Sequence, residues 1–216
     1  SGPAAGMLMA AVQCRALDLP DILSFDLGGT TAKGALVRGF APLKTEQMEV
    51  ARVHEFRRGS GLPLRIPVLD MIEIGSGGGS IAAVDDRGLL KVGPRSAGAV
   101  PGPACYKQGG ENAALSDANL VLGYLDSDFF LGGEMSLDRD AAKTAIEKTM
   151  AQPLNLSVER AAWGIHDTAS EDIARAFRIH ATERGFDYRG ASMVAFGGSG
   201  PLHAMPVAEK LKIPRV

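Results

Sequence analysis

The stretch Ile22-Leu-Ser-Phe-Asp26-Leu-Gly28-Gly29-Thr30-Thr31-Ala-Lys33-Gly-Ala-Leu-Val37 sets a carboxylate, adjacent glycines and paired hydroxyls between two apolar runs. The first run reads as a buried strand that delivers Asp26 to its C-terminal end. Gly28 and Gly29 let the backbone turn sharply and leave N–H groups uncovered by any Cβ. Thr30 and Thr31 add hydroxyl donors, and the second run reads as a returning strand. This arrangement suits the phosphates of a nucleotide, with amides facing oxyanions and Asp26 holding a metal ion or its water. The same residues also fit an ordinary tight hairpin with an exposed Asp.

A second turn with similar chemistry lies near the other end of the chain. Strand-like Ser192–Phe196 runs into Gly197-Gly198-Ser199-Gly200-Pro201, and a helix over Leu202–Leu211 follows. Such a strand-to-helix turn exposes N–H groups at the positive end of a helix, where anions or the polar edge of a nucleotide are favoured. His203, in the first turn of that helix, is a candidate nucleotide contact.

Between these turns lie two further loops, Gly75-Ser-Gly77-Gly78-Gly79-Ser80 and Gly93 to Tyr106. They could form a substrate pocket or a subunit contact. Arg95 could then be offered to a carboxylate or phosphate, or could brace its own loop. Glu73 is a candidate catalytic carboxylate or a hairpin residue. Cys105 is a candidate nucleophile with no His at recognisable spacing.

Other chemistries are excluded by spacing. No Gly-x-x-x-x-Gly-Lys-Ser/Thr is present, and the 75–80 glycines miss the third glycine of the dinucleotide fingerprint. Around Ser199 the serine-hydrolase elbow fails because Pro201 stands where its last glycine belongs. The four histidines and two cysteines have no zinc-like spacing.

The elements that must position these residues alternate. A helix is expected over Ser1–Leu17, then the Asp26 hairpin, with residues 45–56 as a third antiparallel strand. Strand-like residues 64–74, broken by Pro67, precede a hairpin of Ile81–Val84 and Leu89–Val92 around Asp85-Asp-Arg-Gly88. Helices follow: one capped by Ser116, one from Asp138 through Met150, and a long core helix from Ser157 to about Arg184, stopped by Gly185. On it His166 and His180 read as packing or surface residues.

With 216 residues, 45% apolar and 22% charged, the chain is long enough to bury a proper core. A formal charge of −2 offers no general attraction to nucleic acid or anionic membrane, and no apolar run is long enough to span a bilayer. With Cys14 and Cys105 read as reduced thiols and no signal peptide visible, a cytoplasmic protein is expected. The chain opens Ser1-Gly-Pro without Met and stops at Ile213-Pro-Arg-Val216, where a strand begins. A fragment of a longer polypeptide is therefore expected.

The two phosphate-type turns resemble those of the actin, sugar-kinase and heat-shock ATPase superfamily. Within it the chain is similar to the hydantoinase A and 5-oxoprolinase family, which also contains acetone carboxylase subunits. The similarity rests on Ser1-Gly-Pro-Ala-Ala-Gly6, Ser24 to Lys33, Glu73 to Ile81, Val92 to Gly98 with Pro101 to Tyr106, Asp117-Ala-Asn-Leu-Val-Leu-Gly123, Phe130-Leu-Gly-Gly-Glu134 and Val194 to Ala204.

The resemblance implies an α/β fold: a ribonuclease-H-like half-domain of the actin-like ATPase fold with a β-rich, Gly/Pro-rich insertion. The division is 1–58, connecting helix and first strands; 59–112, the insertion; and 113–216, helical part and return to the half-domain, in one compact unit. It also implies ATP and Mg²⁺ as cofactors, with Gly28, Gly29, Thr30 and Thr31 on phosphates and Gly197, Gly198, Ser199 and Gly200 near the nucleoside. Asp26 is then the catalytic and metal residue. Glu73, Gly77, Gly78 and Arg95 are substrate or interface candidates.

The implied reaction is ATP-driven opening of a cyclic amide or imide, with ketone carboxylation and a non-catalytic assembly lobe as alternatives. The implied partners are the missing N-terminal half of the same chain and a second, hydantoinase B-type subunit. Lys33 departs from the superfamily pattern, in which many loops carry an acidic residue near that position. With the first phosphate loop in the absent half, the fragment alone is expected to bind ATP weakly or not at all.

Overall fold

A computed structural model describes residues 2–51, 53 and 59–216. Helix α1 (Gly2–Ala16) leads into β1 (Ile22–Leu27) and β2 (Ala32–Arg38), an antiparallel hairpin in which Asp26 is the cross-strand partner of Lys33. β2 is extended along its far edge by β3 (Ala41–Pro42). Short strands follow: β4 (Lys44–Thr45), β5 (Met48–Val50), β6 (Leu62–Leu64), β7 (Val68–Leu69) and β8 (Met71–Ile74). The hairpin β9 (Ser80–Val84) and β10 (Leu90–Ser96) precedes the helices α2 (Leu115–Val121) and α3 (Arg139–Ile146). A π-helical turn over Glu147–Ala151 leads to α4 (Gln152–Leu154). The chain then forms the long α5 (Val158–Glu183), β11 (Ser192–Phe196) and α6 (Gly200–Leu211).

The main sheet has the order β11–β1–β2–β3, with β8 also antiparallel to β2. β11 runs parallel to β1, as expected when the long α5 carries the chain back between them. Both faces of β1 are covered, which is why it reads as a nearly continuous apolar run. On one face Ala10, Ala11 and Cys14 of α1 pack over Ile22 and Val37. On the other, Leu23, Phe25 and Leu27 meet Ile173 and Phe177 of α5 and Val207 of α6. Gly34 lies beneath Phe177: a Cβ there would come within 2.5 Å of the ring, so β2 and α5 approach only because this residue is glycine.

A second apolar cluster joins Ala82 and Val92 of the β9–β10 hairpin to Leu115, Ile146, Met150 and Ile165. α5 spans both clusters, its N-terminal half in the second and its C-terminal half in the first. Its start is capped by Ser157, whose Oγ accepts the Arg160 N–H at 3.2 Å, and Gly185 after its end takes φ +57°.

Three expected elements differ. Of residues 45–56, positions 52 and 54–56 lie outside the described residues; Lys44–Thr45 pairs with β7 and Met48–Val50 with β6, and β8 takes the place beside β2. Its Met71, Ile72 and Ile74 supply apolar surface on that edge that the polar 45–50 segment lacks. The helix expected to begin at Ser116 begins one residue earlier, because Asp117 accepts the Ala114 N–H at 2.8 Å. α3 ends at Ile146, and the expected continuation to Met150 widens into the π-helical turn. No described helix is long and apolar enough to cross a membrane.

Candidate functional site

Asp26 ends β1 half-buried, in a row of cross-strand partners formed by Phe196, Asp26, Lys33 and Glu73 on β11, β1, β2 and β8. Paired positions in a sheet project to the same face, so the row sets Asp26, Lys33 and Glu73 side by side. The turn after Asp26 is closed by the Gly28 N–H donating to the Thr31 carbonyl at 3.2 Å. Gly29 and Thr30 at its tip are exposed, and their amides donate no hydrogen bond among the described residues.

The late glycine turn sits directly against Asp26. Gly197 has φ +86°, and a Cβ on it would lie 2.4 Å from Asp26 Oδ1 and 2.5 Å from the Leu27 carbonyl oxygen. Only glycine leaves the carboxylate its place. The Ser199 N–H donates to the Leu27 carbonyl at 2.9 Å, fixing the start of α6 beside the end of β1, while Gly198 stays exposed. Gly200, expected near a nucleoside, is buried as the first residue of α6.

The Gly75–Ser80 loop docks on the same turn. Gly78 and Gly79 donate to the carbonyls of Gly28 and Gly29 at 3.0 and 2.7 Å. A Cβ on Gly77 would lie 2.5 Å from the Thr30 nitrogen, and one on Gly78 would meet the hydroxyls of Ser116 and Ser199 at 2.9 and 3.0 Å. Gly77 and Gly78, candidates for substrate or interface, thus pack on the Asp26 turn itself. Glycine is required there by close approach of two backbones.

Glu73 is half-exposed and ion-paired to Lys33, with Nζ to Oε1 at 3.1 Å; Lys33 Nζ also donates to Thr31 Oγ1. Arg95 is exposed, with no hydrogen bond or ion pair among the described residues, so it neither braces its loop nor joins the row. Cys105 is fully buried, and burial together with the neighbouring Asp117 carboxylate pushes its thiol far above the ordinary range. Such a thiol is a poor nucleophile.

His203 lies away from the turn's open side. It is fully buried behind α6, and burial pushes its pKa down to about 3. Its ring is held in a closed network: Asn119 Nδ2 donates to His203 Nε2 at 3.2 Å, and His203 Nδ1 meets Ser170 Oγ at 3.0 Å. The Ser170 hydroxyl in turn donates to the His166 carbonyl at 2.9 Å, and His166 Nδ1 donates to Asn119 Oδ1 at 2.9 Å. With both imidazoles neutral and protonated on Nδ1, both ring N–H groups and the Ser170 hydroxyl find acceptors. Beside it Asp117, fully buried, accepts the N–H groups of Ala104, Cys105 and Ala114. Ser116, Asp117 and Asn119 thus position the site from behind, in a segment read from sequence as a helix start and a stretch of family resemblance but not as part of the site.

A cavity of about 810 Å³ opens elsewhere, at the β8 edge, lined by Thr45, Met48, Asp70, Glu73, His180 and Arg184 among others. Arg184 donates from Nε and Nη2, one edge of its guanidinium, to the two carboxylate oxygens of Asp70, and burial with the Arg184 charge lowers the pKa of His180 to about 4. None of the glycine turns lines this cavity.

The residues fit a polyphosphate and its metal ion. The Asp26 carboxylate makes no hydrogen bond or ion pair among the described residues, and Gly197 leaves a space before it that a Cβ would fill. No cluster of three or more His, Cys, Asp or Glu that could hold a metal occurs among the described residues. A single free carboxylate suits Mg²⁺, which keeps water and phosphate oxygens as most of its ligands.

The whole chain, residues 1–216, matches the family model described as hydantoinase/oxoprolinase. An uncharacterized protein of Methanocaldococcus jannaschii is 44% identical over 99% of the chain, which spans 32% of that relative. A nucleotide-free structure from work on the mechanism of ATP-dependent acetone carboxylation by acetone carboxylase superimposes with a TM-score of 0.85 at 32% identity. It covers 99% of this chain and 29% of its own. The crystal structure of an ATP-dependent caprolactamase from Pseudomonas jessenii gives 0.83 at 37% identity, covering 98% and 29%. The chain thus spans about a third of the length of these three proteins.

Proposed function

Since the chain belongs to the hydantoinase/oxoprolinase family, we propose that it forms one side of the nucleotide site of an ATP-dependent enzyme that opens a lactam or cyclic imide. The observation that carries this is the convergence of three glycine turns on Asp26, with the Gly29 and Thr30 amides left without partners. Those amides and the hydroxyls of Thr30 and Thr31 bind phosphate oxygens, and Gly197, Gly198 and Ser199 face the remainder of the nucleotide. Asp26 holds Mg²⁺, directly or through water. Bound Mg·ATP would supply a phosphoryl group to the amide oxygen, making the carbonyl carbon electrophilic enough for water to attack. The ring opens as the C–N bond breaks and the nitrogen leaves as a protonated amine, and phosphate is released on hydrolysis of the acyl phosphate. The chain's own part is to orient the phosphates and keep the Asp26 carboxylate fixed against the glycine turn.

In the same reading the β1–β2 hairpin, β11 and α6 form a ribonuclease-H-like half of an actin-like ATPase. The opposite half, and a second subunit that completes the substrate pocket, lie in the rest of the enzyme. The likeness to an ATP-dependent caprolactamase supports ring opening. The likeness to acetone carboxylase supports a second reading, ATP-dependent carboxylation of a ketone at the same site. A non-catalytic assembly lobe is the third.

The test is turnover by the complete polypeptide that carries this chain, together with its partner subunit. ATP hydrolysis that depends on a lactam, hydantoin or 5-oxoproline is the expected result. Hydrolysis that instead requires bicarbonate and a ketone selects the second reading. Asp26→Asn should abolish either activity; full activity in that variant selects the assembly role.

A further inference from the structure

The Lys33–Glu73 pair has a geometry that stability alone does not explain. Lys33 is the cross-strand partner of Asp26 on one side and of Glu73 on the other, so its ammonium belongs to the row that opens at the glycine turn. Its side chain is 17% exposed, whereas that of Glu73 is 53% exposed. An ion pair with one partner this open to water contributes little to folding. Yet the ammonium is fixed from two directions, by Glu73 Oε1 at 3.1 Å and by the hydroxyl of Thr31 within the turn. An ammonium has three N–H donors. Two are committed, and the third is left for a ligand.

Glu73 is the last residue but one of β8, the strand that runs directly into the Gly75–Ser80 loop, and that loop docks on Gly28 and Gly29. The carboxylate that holds the ammonium thus lies two residues before the loop that covers the turn. Together the residues present a fixed positive charge, a free carboxylate and unpaired amides on one rim, a combination matched to a polyphosphate with its metal ion.

We propose that Lys33 is a phosphate-binding residue of this site, held in position by Glu73 and acting on phosphate oxygens independently of the metal ion. This rests on the proposed nucleotide site. It makes Glu73 a positioning residue, in place of the catalytic carboxylate considered from sequence.

The experiment is calorimetric titration of the complete polypeptide with ATP, once with Mg²⁺ and once with EDTA, at several salt concentrations. It compares the unsubstituted protein with Lys33→Met, Lys33→Arg, Glu73→Gln and Asp26→Asn. Loss of one charge-assisted hydrogen bond predicts that Lys33→Met weakens binding by about tenfold or more, with and without Mg²⁺, and flattens the salt dependence. Lys33→Arg should recover part of the loss, and Glu73→Gln should cost about two- to threefold. Asp26→Asn should lose affinity chiefly in the presence of Mg²⁺.

If Lys33→Met binds ATP like the unsubstituted protein while Asp26→Asn does not, the role of Lys33 is overturned and the nucleotide site stands. If the unsubstituted protein binds no ATP under any condition, the nucleotide site fails and Lys33 with it. Melting temperatures of the same variants complete the comparison: a purely structural pair would lower them equally for Lys33→Met and Glu73→Gln and leave affinity unchanged.

Discussion

Around Asp26 and around Asn119 the chain gathers similar chemistry, serines, a polar side chain and a helix start, and uses it in opposite ways. Behind the turn, Asp117, Asn119, His166, Ser170 and His203 are buried, and their hydrogen bonds close on one another and on backbone amides. At the turn, the Asp26 carboxylate and the amides of Gly29 and Thr30 have no such partners among the described residues. A polar group satisfied internally holds structure; one left free at an exposed turn is available to a ligand. The closed region explains how the open one can exist: α2 delivers Ser116 to the Gly78 carbonyl, α6 delivers Ser199 to the Leu27 carbonyl, and Asn119 with His203 ties the two helices together.

This contrast breaks most visibly at Asp117. Asp117→Ala leaves three buried N–H groups without acceptors, and at about 1–3 kcal/mol each the chain should lose about 3 kcal/mol of stability or more in a denaturant titration. A loss below about 1 kcal/mol would show that the carboxylate is not the clamp of the 104–114 segment. Asn119→Leu comes next. It keeps the volume but strands His166 Nδ1 and His203 Nε2, at an expected cost of about 2 kcal/mol.

The buried histidines predict a smaller effect, spread over pH. Folding holds His203 and His180 at about 3 and about 4, below the ordinary value of 6.5. Between pH 6.5 and those values the unfolded chain binds more protons than the folded one, so stability falls as pH drops through this window. It is flat, for these groups, above about pH 7. The slope is at most about 1.4 kcal/mol per pH unit for each histidine. Thermal melts from pH 7 to 5 check it, and His203→Gln should remove part of the dependence, the remainder resting on His180 and on His166, whose pKa burial also lowers. The smallest effect belongs to the open region: Asp26→Asn should change stability by no more than about 0.5 kcal/mol, because its carboxylate holds nothing in the folded chain.

Much of the local structure was legible in the residues. The Asp26 hairpin, the Asp85–Gly88 turn, the Ser157 cap and the Gly185 stop follow from period, turn chemistry and caps, all of which act within a few positions. What escaped was pairing at a distance. Nothing local says that Met71–Ile74, rather than the 45–56 segment, lies beside β2. Asn119 and His203 are 84 residues apart, so neither helix reveals the network. The glycines at 77–79 signalled close approach, but their partner, the Gly28–Gly29 backbone, is visible only in the fold. His203 misled for a related reason: a helix start beside a glycine turn has an inner face as well as an open one.

The account stands most directly on one measurement, calorimetric titration of Mg·ATP into the complete polypeptide and into its Asp26→Asn variant. Saturable binding by the first, and a loss of about tenfold or more in the second with an unchanged melting temperature, is the predicted result. Equal affinity in the two proteins would contradict a nucleotide site built around Asp26.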